Sequence, residues 1–301
     1  AMKRSTIRPW WLWLVPLTVV CYAPSHHGAS SNNGLPNFIF FTSTKDGNEE
    51  IYQWDKSTQL VTNLTNDPGE DYNAATTPGW NKVVFSSTRG GGGAHIFSMD
   101  PDGHNVVQLT TGTDTDELAT IDPSSHKIAF ARTSGGLQTL WTMDSDGSNL
   151  EQITTDEGYD PCFTSGGQIL FCSGRTGNSE LWICDADGSN ATQITHTANV
   201  DEYVPTIAPD GSKVYVGAQA AGGSQSILSV DTSNGTEKVE ADSGGQFKDW
   251  PHVTSNGTLL FSLQSVEDAE DGTIHYQRPN GGGHDNQVPN IPSKSLDPTS
   301  L

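Results

Sequence analysis

Five carboxylates stand at corresponding places along the chain. Asp71, Asp116 and Glu202 each lie 14 residues before the last apolar residue of the β-rich run that follows, Phe85, Phe130 and Val216. Asp160 and Asp249 occupy the same segment of their own units, about two positions later. Residues two apart on a strand face the same way. If these segments gather around one axis, the five carboxylates ring one mouth of a channel. Like charges held that close repel and keep their protons unless a cation joins them. A ligand set made only of oxygen favours Ca²⁺ or Mg²⁺ over zinc. The chemistry such a ring could do is that of a cation site, with Ca²⁺ as the candidate occupant and no cofactor required by the sequence. A second assignment stays open, because Asp at the start of a strand also accepts backbone N–H groups. Tyr203 beside Glu202, Trp250 beside Asp249, and His252 on the same segment are predicted to contact a ligand at that mouth.

Other candidates carry less. Asp100-Pro-Asp-Gly103, Asp144-Ser-Asp-Gly147 and Asp185-Ala-Asp-Gly188 resemble half of a calcium loop, but no Glu recurs where the loop needs its bidentate ligand. Asp-Gly between two strand signals is first of all a hairpin turn. Gly222-Gly-Ser-Gln-Ser226 fails the nucleophile-elbow pattern, and no His-Glu-x-x-His is present. Arg89 followed by four glycines has no helix behind it and so is not a phosphate cradle. The predicted chain is not an enzyme.

The elements that would position these residues come from a repeated sentence. Ile96-Phe-Ser-Met-Asp-Pro-Asp-Gly103, Leu140-Trp-Thr-Met-Asp-Ser-Asp-Gly147 and Leu181-Trp-Ile-Cys-Asp-Ala-Asp-Gly188 are each closed by Leu-Thr or Ile-Thr. Weaker copies begin at Ile51, Ile227 and Ile274. Asp55, Asp100, Asp144, Asp185 and Asp231 lie 41 to 46 residues apart, the period of a four-stranded blade. Each unit reads as a short segment ending in a Pro/Gly/Ser turn, a β-rich run, a Gly-rich turn, the apolar-Asp run, and a last short strand. No stretch shows helical periodicity. The prediction is an all-β fold, a six-bladed β-propeller of four-stranded antiparallel blades, whose radial repetition protects its edges. Tyr52, Phe97, Trp141 and Trp182 recur at one blade position and are expected to pack between blades. The ring is expected to close by pairing N- and C-terminal strands.

From about Pro36 to Gln277 the chain resembles the TolB-like, WD-repeat-like β-propellers. The resemblance rests on the Pro-Asp-Gly turn, the run ending in Phe85-Ser-Ser with Arg89, the apolar-Met-Asp-x-Asp-Gly strand and turn, and the closing Leu-Thr. It is strong in units two to four, fair in one and five, and poor in six. The α/β domain that usually precedes such propellers has no counterpart in the roughly 35 residues ahead of the repeat. The resemblance implies a protein-binding scaffold acting through its channel face. Some lyases of uronic-acid polymers look like this fold too. That reading requires a metal cluster and basic residues for the substrate carboxylates, and the chain has 15 Lys and Arg in all.

The domains read as 1–30, a signal peptide or N-terminal apolar segment; 36–278, the propeller; and 279–301, an extended tail rich in Gly, Pro, Asn and Ser, either a tether or the source of a blade's missing outer strand. Lys3, Arg4 and Arg8 precede the apolar run Trp10–Val20, which is too short to be a stable span. The expected location is extracytoplasmic, periplasmic or secreted. A net charge of −21 excludes nucleic acid and anionic membrane as partners, since both need Lys and Arg to displace counterions. A protein partner is expected. Two alternatives stay open: a self-assembling subunit, homo-oligomer or fibre, that donates its N-terminal segment or tail, and a metal-dependent polysaccharide-binding or lyase-like protein. Four cysteines do not make a disulfide framework.

Overall fold

The computed structural model describes residues 19–22, 35–76, 81–221, 225–242, 247–254, 256–264, 272–278 and 285–289, with the backbone alone at 19–22, 242, 247–249, 263–264 and 272. Its 24 strands form six four-stranded antiparallel sheets, each made of consecutive strands. Blade one is β1 (Val19–Tyr22), β2 (Phe38–Ser43), β3 (Glu50–Asp55) and β4 (Val61–Asn63). Blade two is β5 (Asp71–Ala75), β6 (Val83–Ser87), β7 (His95–Met99) and β8 (Val107–Gln108). Blade three is β9 (Thr115–Ile121), β10 (Lys127–Ser134), β11 (Leu137–Asp144) and β12 (Glu151–Gln152). Blade four is β13 (Tyr159–Phe163), β14 (Ile169–Ser173), β15 (Glu180–Cys184) and β16 (Thr192–Gln193). Blade five is β17 (Val200–Ile207), β18 (Lys213–Ala220), β19 (Gln225–Asp231) and β20 (Glu237–Asp242). Blade six is β21 (Phe247–Val253), β22 (Leu259–Gln264), β23 (Gly272–Gln277) and β24 (Asn286–Gln287). The chain is thus a six-bladed β-propeller, and among the described residues no helix occurs.

The repeated sentence has a physical reading in every word. The threonine of each closing Leu-Thr turns its hydroxyl back onto the third strand: Thr65, Thr110, Thr154 and Thr195 Oγ1 accept from the amides of Ile51, Ile96, Leu140 and Leu181 at 2.9–3.0 Å. The first Asp of each Asp-x-Asp-Gly turn accepts the amide of the asparagine five residues on, Asn105, Asn149 and Asn190, at 2.6–2.7 Å. The second Asp accepts the backbone amide two residues later. These carboxylates are hydrogen-bonded turn residues. The glycine of the turn is required twice. Gly188 has φ +81°, and a Cβ there would stand 2.0 Å from the carbonyl oxygen of Ile153 in blade three. Each turn is therefore pressed against the closing strand of the blade before it.

Blades are glued by their faces. Val84 and Ile96 of blade two share one fully buried cluster with Ile128, Phe130 and Met143 of blade three. Ile39, Phe41, Tyr52 and Trp54 of blade one share another with Leu260, Ile274, Tyr276 and Val288. At about 1.5–3 kcal/mol for each large side chain removed from water, these interfaces dominate the stability of the ring. The last cluster is what closes it. Among the described residues no sheet mixes strands from the two ends of the chain, and apolar packing between blades six and one stands where strand pairing was expected. Asn286–Gln287, in the segment read as a tail, forms the outer strand of blade six. Cys162, Cys172 and Cys184 are free thiols.

Candidate functional site

The inner strands of blades two to six share a distortion. In β5, β9, β13, β17 and β21 the register with the second strand slips at one point. At that point a residue other than glycine takes a left-handed backbone: Asn73, Leu118, Asp160, Val204 and Trp250, with φ between 49° and 60°. A slip of this kind is a β-bulge, which bends the strand and re-aims its side chains. Holding a branched residue such as Val204 in this region costs on the order of 1–3 kcal/mol, and such strain gathers where a site is being shaped. The five bulges and the two or three residues after each line one central cavity of about 150 Å³. Its walls are mainly Ala, Pro, Thr, Val and Leu, with Asp160, Cys162 and His252 as the titratable groups. Asp160 Oδ2 accepts the Val204 amide at 2.9 Å, tying one bulge to the next. Burial pushes the His252 imidazole down to about 4, so it is neutral at physiological pH.

The other sequence-predicted residues divide between the cavity and the junctions between blades. Trp250 and His252 line the cavity, whereas Tyr203 lies over Gly217 in the next strand of its own blade. Asp71, Asp116 and Glu202 stand two residues before their bulges, each fully buried. Their backbone amides donate to the blade before: Asp71 to Glu49, Asp116 to Ala94 and Glu202 to Ser179, at 2.8–3.0 Å. Gly158 makes the same bond to Gln138 and so fills the equivalent place in blade four. The backbone of Asp249 pairs with Ser262, and its side chain lies outside what the structure describes. The bulge separates the four carboxylates whose side chains are described into two sets. Asp160 looks into the channel, and three others are wedged at junctions between blades. Among the described residues no group of three His, Cys, Asp or Glu side chains is placed to hold a metal ion.

Each junction carboxylate meets the first residue of the preceding blade's third strand, and each meeting differs. Asp71 pairs with Arg89 at 2.7 Å, yet burial, with Glu50 nearby, pushes its carboxyl up to about 6. Asp116 receives Arg132 through both Nε and Nη2, at 2.6 and 2.8 Å, with His95 Nδ1 at 3.8 Å. Glu202 Oε2 accepts the Leu181 amide at 3.1 Å and the Thr195 hydroxyl at 2.6 Å. Its Oε1, and Oε2 of Glu180, are buried with no protein hydrogen-bond partner. Burial first, then the Glu180 and Glu237 charges, push Glu202 up to about 7 despite the Thr195 bond.

The arginines are part of the pattern. Arg89, Arg132 and Arg175 recur every 43 residues (132 − 89 and 175 − 132). Each lies over two aromatic rings of its own blade: Phe85 and Phe97, Phe130 and Trp141, Phe171 and Trp182, with centroids 4.7–5.6 Å away. Rings stack on one another within blades, Phe85 on Phe97 at 5.9 Å and Phe171 on Trp182 at 6.5 Å, while Tyr52, Phe97, Trp141 and Trp182 also pack in the clusters shared with a neighbouring blade, as expected. A cation over two rings is favoured by their quadrupoles, by about 0.5–2 kcal/mol per contact. These arginines lock the ends of strands two and three. The constant 43-residue interval is the signal that could have found them.

Comparison with curated proteins finds none that matches. Among solved structures, TolB from Acinetobacter baumannii superposes with a TM-score of 0.73 at 15% identity, covering 85% of this chain and 64% of its own. The present chain therefore spans less than two thirds of that relative. A TolB described as putative, from Agrobacterium tumefaciens, gives 0.66 at 16% identity, with 77% and 84% coverage. An oligogalacturonate lyase in complex with manganese gives 0.59 at 14% identity, with 84% and 73% coverage. At these identities the likeness is one of fold. The sequence profile of the TolB beta propeller domain, PD40, matches residues 18–160 and 120–271. Repeat, blade geometry and profile agree over most of the length, and the chain belongs to the TolB β-propeller domain family.

Proposed function

We propose that this chain is a non-enzymatic, protein-binding propeller that works outside the cytoplasm and meets its partner with the channel face. The observation that carries this reading is the channel. Five bulges converge on about 150 Å³ of mostly apolar space. One inserted side chain of a partner is the right size, since an apolar cavity of about 150 Å³ holds benzene. The strained bulges make that rim rigid, which lowers the entropic cost of binding.

The lyase alternative rests on likeness to the manganese-bound structure. Here the cavity lining contributes a single imidazole, His252, and the Asp160 carboxylate is engaged by a neighbouring amide. The extracytoplasmic assignment rests on the leader-like N-terminus and on family membership. The pairing of Val19–Tyr22 with β2 supports retention of that segment, because a cut after residue 30 would leave blade one with three strands. Among the described residues no helix is long and apolar enough to cross a membrane.

A photo-reactive side chain at Leu118, on the channel rim, and another at Val107, exposed on an outer strand, test the reading in the producing cell. Capture of one defined partner at Leu118, absent at Val107 and lost with Trp250→Ala, supports the channel face. Equal capture at both sites sinks it. Release of unsaturated products from oligogalacturonate by the purified chain, with or without Mn²⁺, would overturn the non-enzymatic part.

A further inference from the structure

Blade one is built unlike the other five. In blades three to six the inner strand reaches its partner through five residues, 122–126, 164–168, 208–212 and 254–258, and in blade two through seven, 76–82. Between β1 and β2 there are fifteen, 23–37. The other inner strands are five to eight residues long and bulged. β1 has four residues and pairs in unbroken register, Val19 with Phe41, Val20 with Phe40, Cys21 with Ile39 and Tyr22 with Phe38. A five-residue turn makes a hairpin almost obligatory. Fifteen residues span up to about 50 Å when extended. The cost of closing a loop rises only slowly with its length, so β1 is held by its pairing with β2 rather than by a tight tether.

The position it fills cannot stay open. β2 presents Ile39, Phe40 and Phe41, all buried, and its inner edge would otherwise leave backbone donors and acceptors unpaired beside β5 and β21. The occupant, Val-Val-Cys-Tyr, is uncharged, β-branched and aromatic, a segment that adds readily to a sheet edge. Every complementarity between β1 and β2 within one molecule also holds between two.

We propose that the inner-strand position of blade one is a strand-exchange site, at which residues 19–22 of a second copy replace this chain's own and join two propellers reciprocally. Exchange of an identical element is a low-cost route to a dimer, because it creates its main interface from contacts already present in the monomer. The proposal uses blade one, whereas the channel-face reading rests on β5, β9, β13, β17 and β21, so each can fail alone.

The test uses the full chain carrying Ile39→Cys. Cys21 and Ile39 oppose each other, and opposed residues of antiparallel strands have Cβ atoms about 4.5–5.5 Å apart, close to what a disulfide needs. The variant is refolded at rising concentration, oxidised, and run on non-reducing gels. The expected result is a covalent dimer whose share grows several-fold with concentration and which returns to monomer on reduction. A disulfide confined to monomers at every concentration, or none at all, overturns the proposal. So does an adduct with a different chain when the variant is isolated from its host, since that gives the position to another protein's strand. Light scattering on the unsubstituted chain and on Val20→Pro stands apart from that variant's folding. Proline cannot donate to the ladder, so the dimer should vanish, and a dimer that survives in Val20→Pro would place the contact elsewhere.

Discussion

The junction between blades two and three and the junction between blades four and five are the same place in the repeat, solved in opposite ways. In the first, Asp116 is buried against a bidentate Arg132, with His95 beside it. In the second, Glu202 is buried against another carboxylate, Glu180, and blade five has Ala218 opposite Glu202, where blade three has Arg132 opposite Asp116. One junction pairs its carboxylate with a guanidinium. The other lowers its charge by holding a proton, because two carboxylates in one buried place do not both ionise cheaply. The backbone is alike at both, with the amide of Asp116 or Glu202 donating to the preceding blade at 2.8 or 3.0 Å. The repeat therefore fixes a buried polar position and leaves its electrostatic solution to each pair of blades.

The largest effect should come from breaking the paired junction. Arg132→Ala leaves Asp116 fully buried with its bidentate partner gone, and also removes the cation from Phe130 and Trp141. Removing one partner of a buried ion pair costs about 3–5 kcal/mol. Urea unfolding should show that loss, and the double variant Arg132→Ala/Asp116→Asn should recover most of it. A single variant that unfolds within about 0.5 kcal/mol of the parent would show that the pair is not what holds this junction.

The unpaired junction predicts the opposite charge sensitivity. Glu202 is raised from 4.5 to about 7 in the folded chain. The folded state then holds a proton that the unfolded state has released, so stability falls as pH rises. The contribution is complete below about pH 4.5 and is lost through pH 7. The full 2.5-unit difference corresponds to at most about 3 kcal/mol, at 1.36 kcal/mol per unit. Asp71, raised to about 6, adds a smaller change of the same sign. Glu202→Gln keeps a hydrogen-bonding head group without a charge. It should flatten the curve between pH 4.5 and 7 and stabilise the protein by about 1–3 kcal/mol at pH 8. A parent whose melting temperature is constant over that window would remove the proton from this junction.

The fold was legible because the repeat is a backbone pattern: turn glycines, closing threonines and alternating apolar runs each occupy a position that geometry demands. The candidate site was legible only in part, and the bulge is the reason. Counting 14 residues back from Phe85, Phe130 and Val216 found the three equivalent buried carboxylates. Reading Asp160 as one of them relied on side chains two apart sharing a face, and an extra residue in the strand breaks that rule. Asp160 is the left-handed residue itself, equivalent to Asn73, Leu118, Val204 and Trp250, and four such different side chains announce no common position. The ring-closing contact was hidden for another reason. Its residues, Tyr52 and Trp54 against Leu260 and Val288, are far apart in sequence and packed without any strand pairing to betray them.

The smallest effect is the one that tells a proton from a cation at the unpaired junction. Glu202 Oε1 and Glu180 Oε2 lack protein partners, and either species would answer their charge. Yet Glu180 Oε1 is taken by Asn178 and Thr197, and Glu202 Oε2 by Leu181 and Thr195. Two free oxygens fall far short of the six to eight that Ca²⁺ takes. A ligand present at a hundredfold excess over its Kd stabilises the native state by about 2.7 kcal/mol, which no melt would miss. Unfolding at pH 8 in millimolar Ca²⁺ or in EDTA should therefore give the same midpoint, and Glu202→Gln should raise both equally. A calcium-dependent rise in the parent that Glu202→Gln abolishes would mean that the junction gathers further oxygens around a cation. The two junctions would then both be charge-paired, one by a guanidinium and the other by a metal.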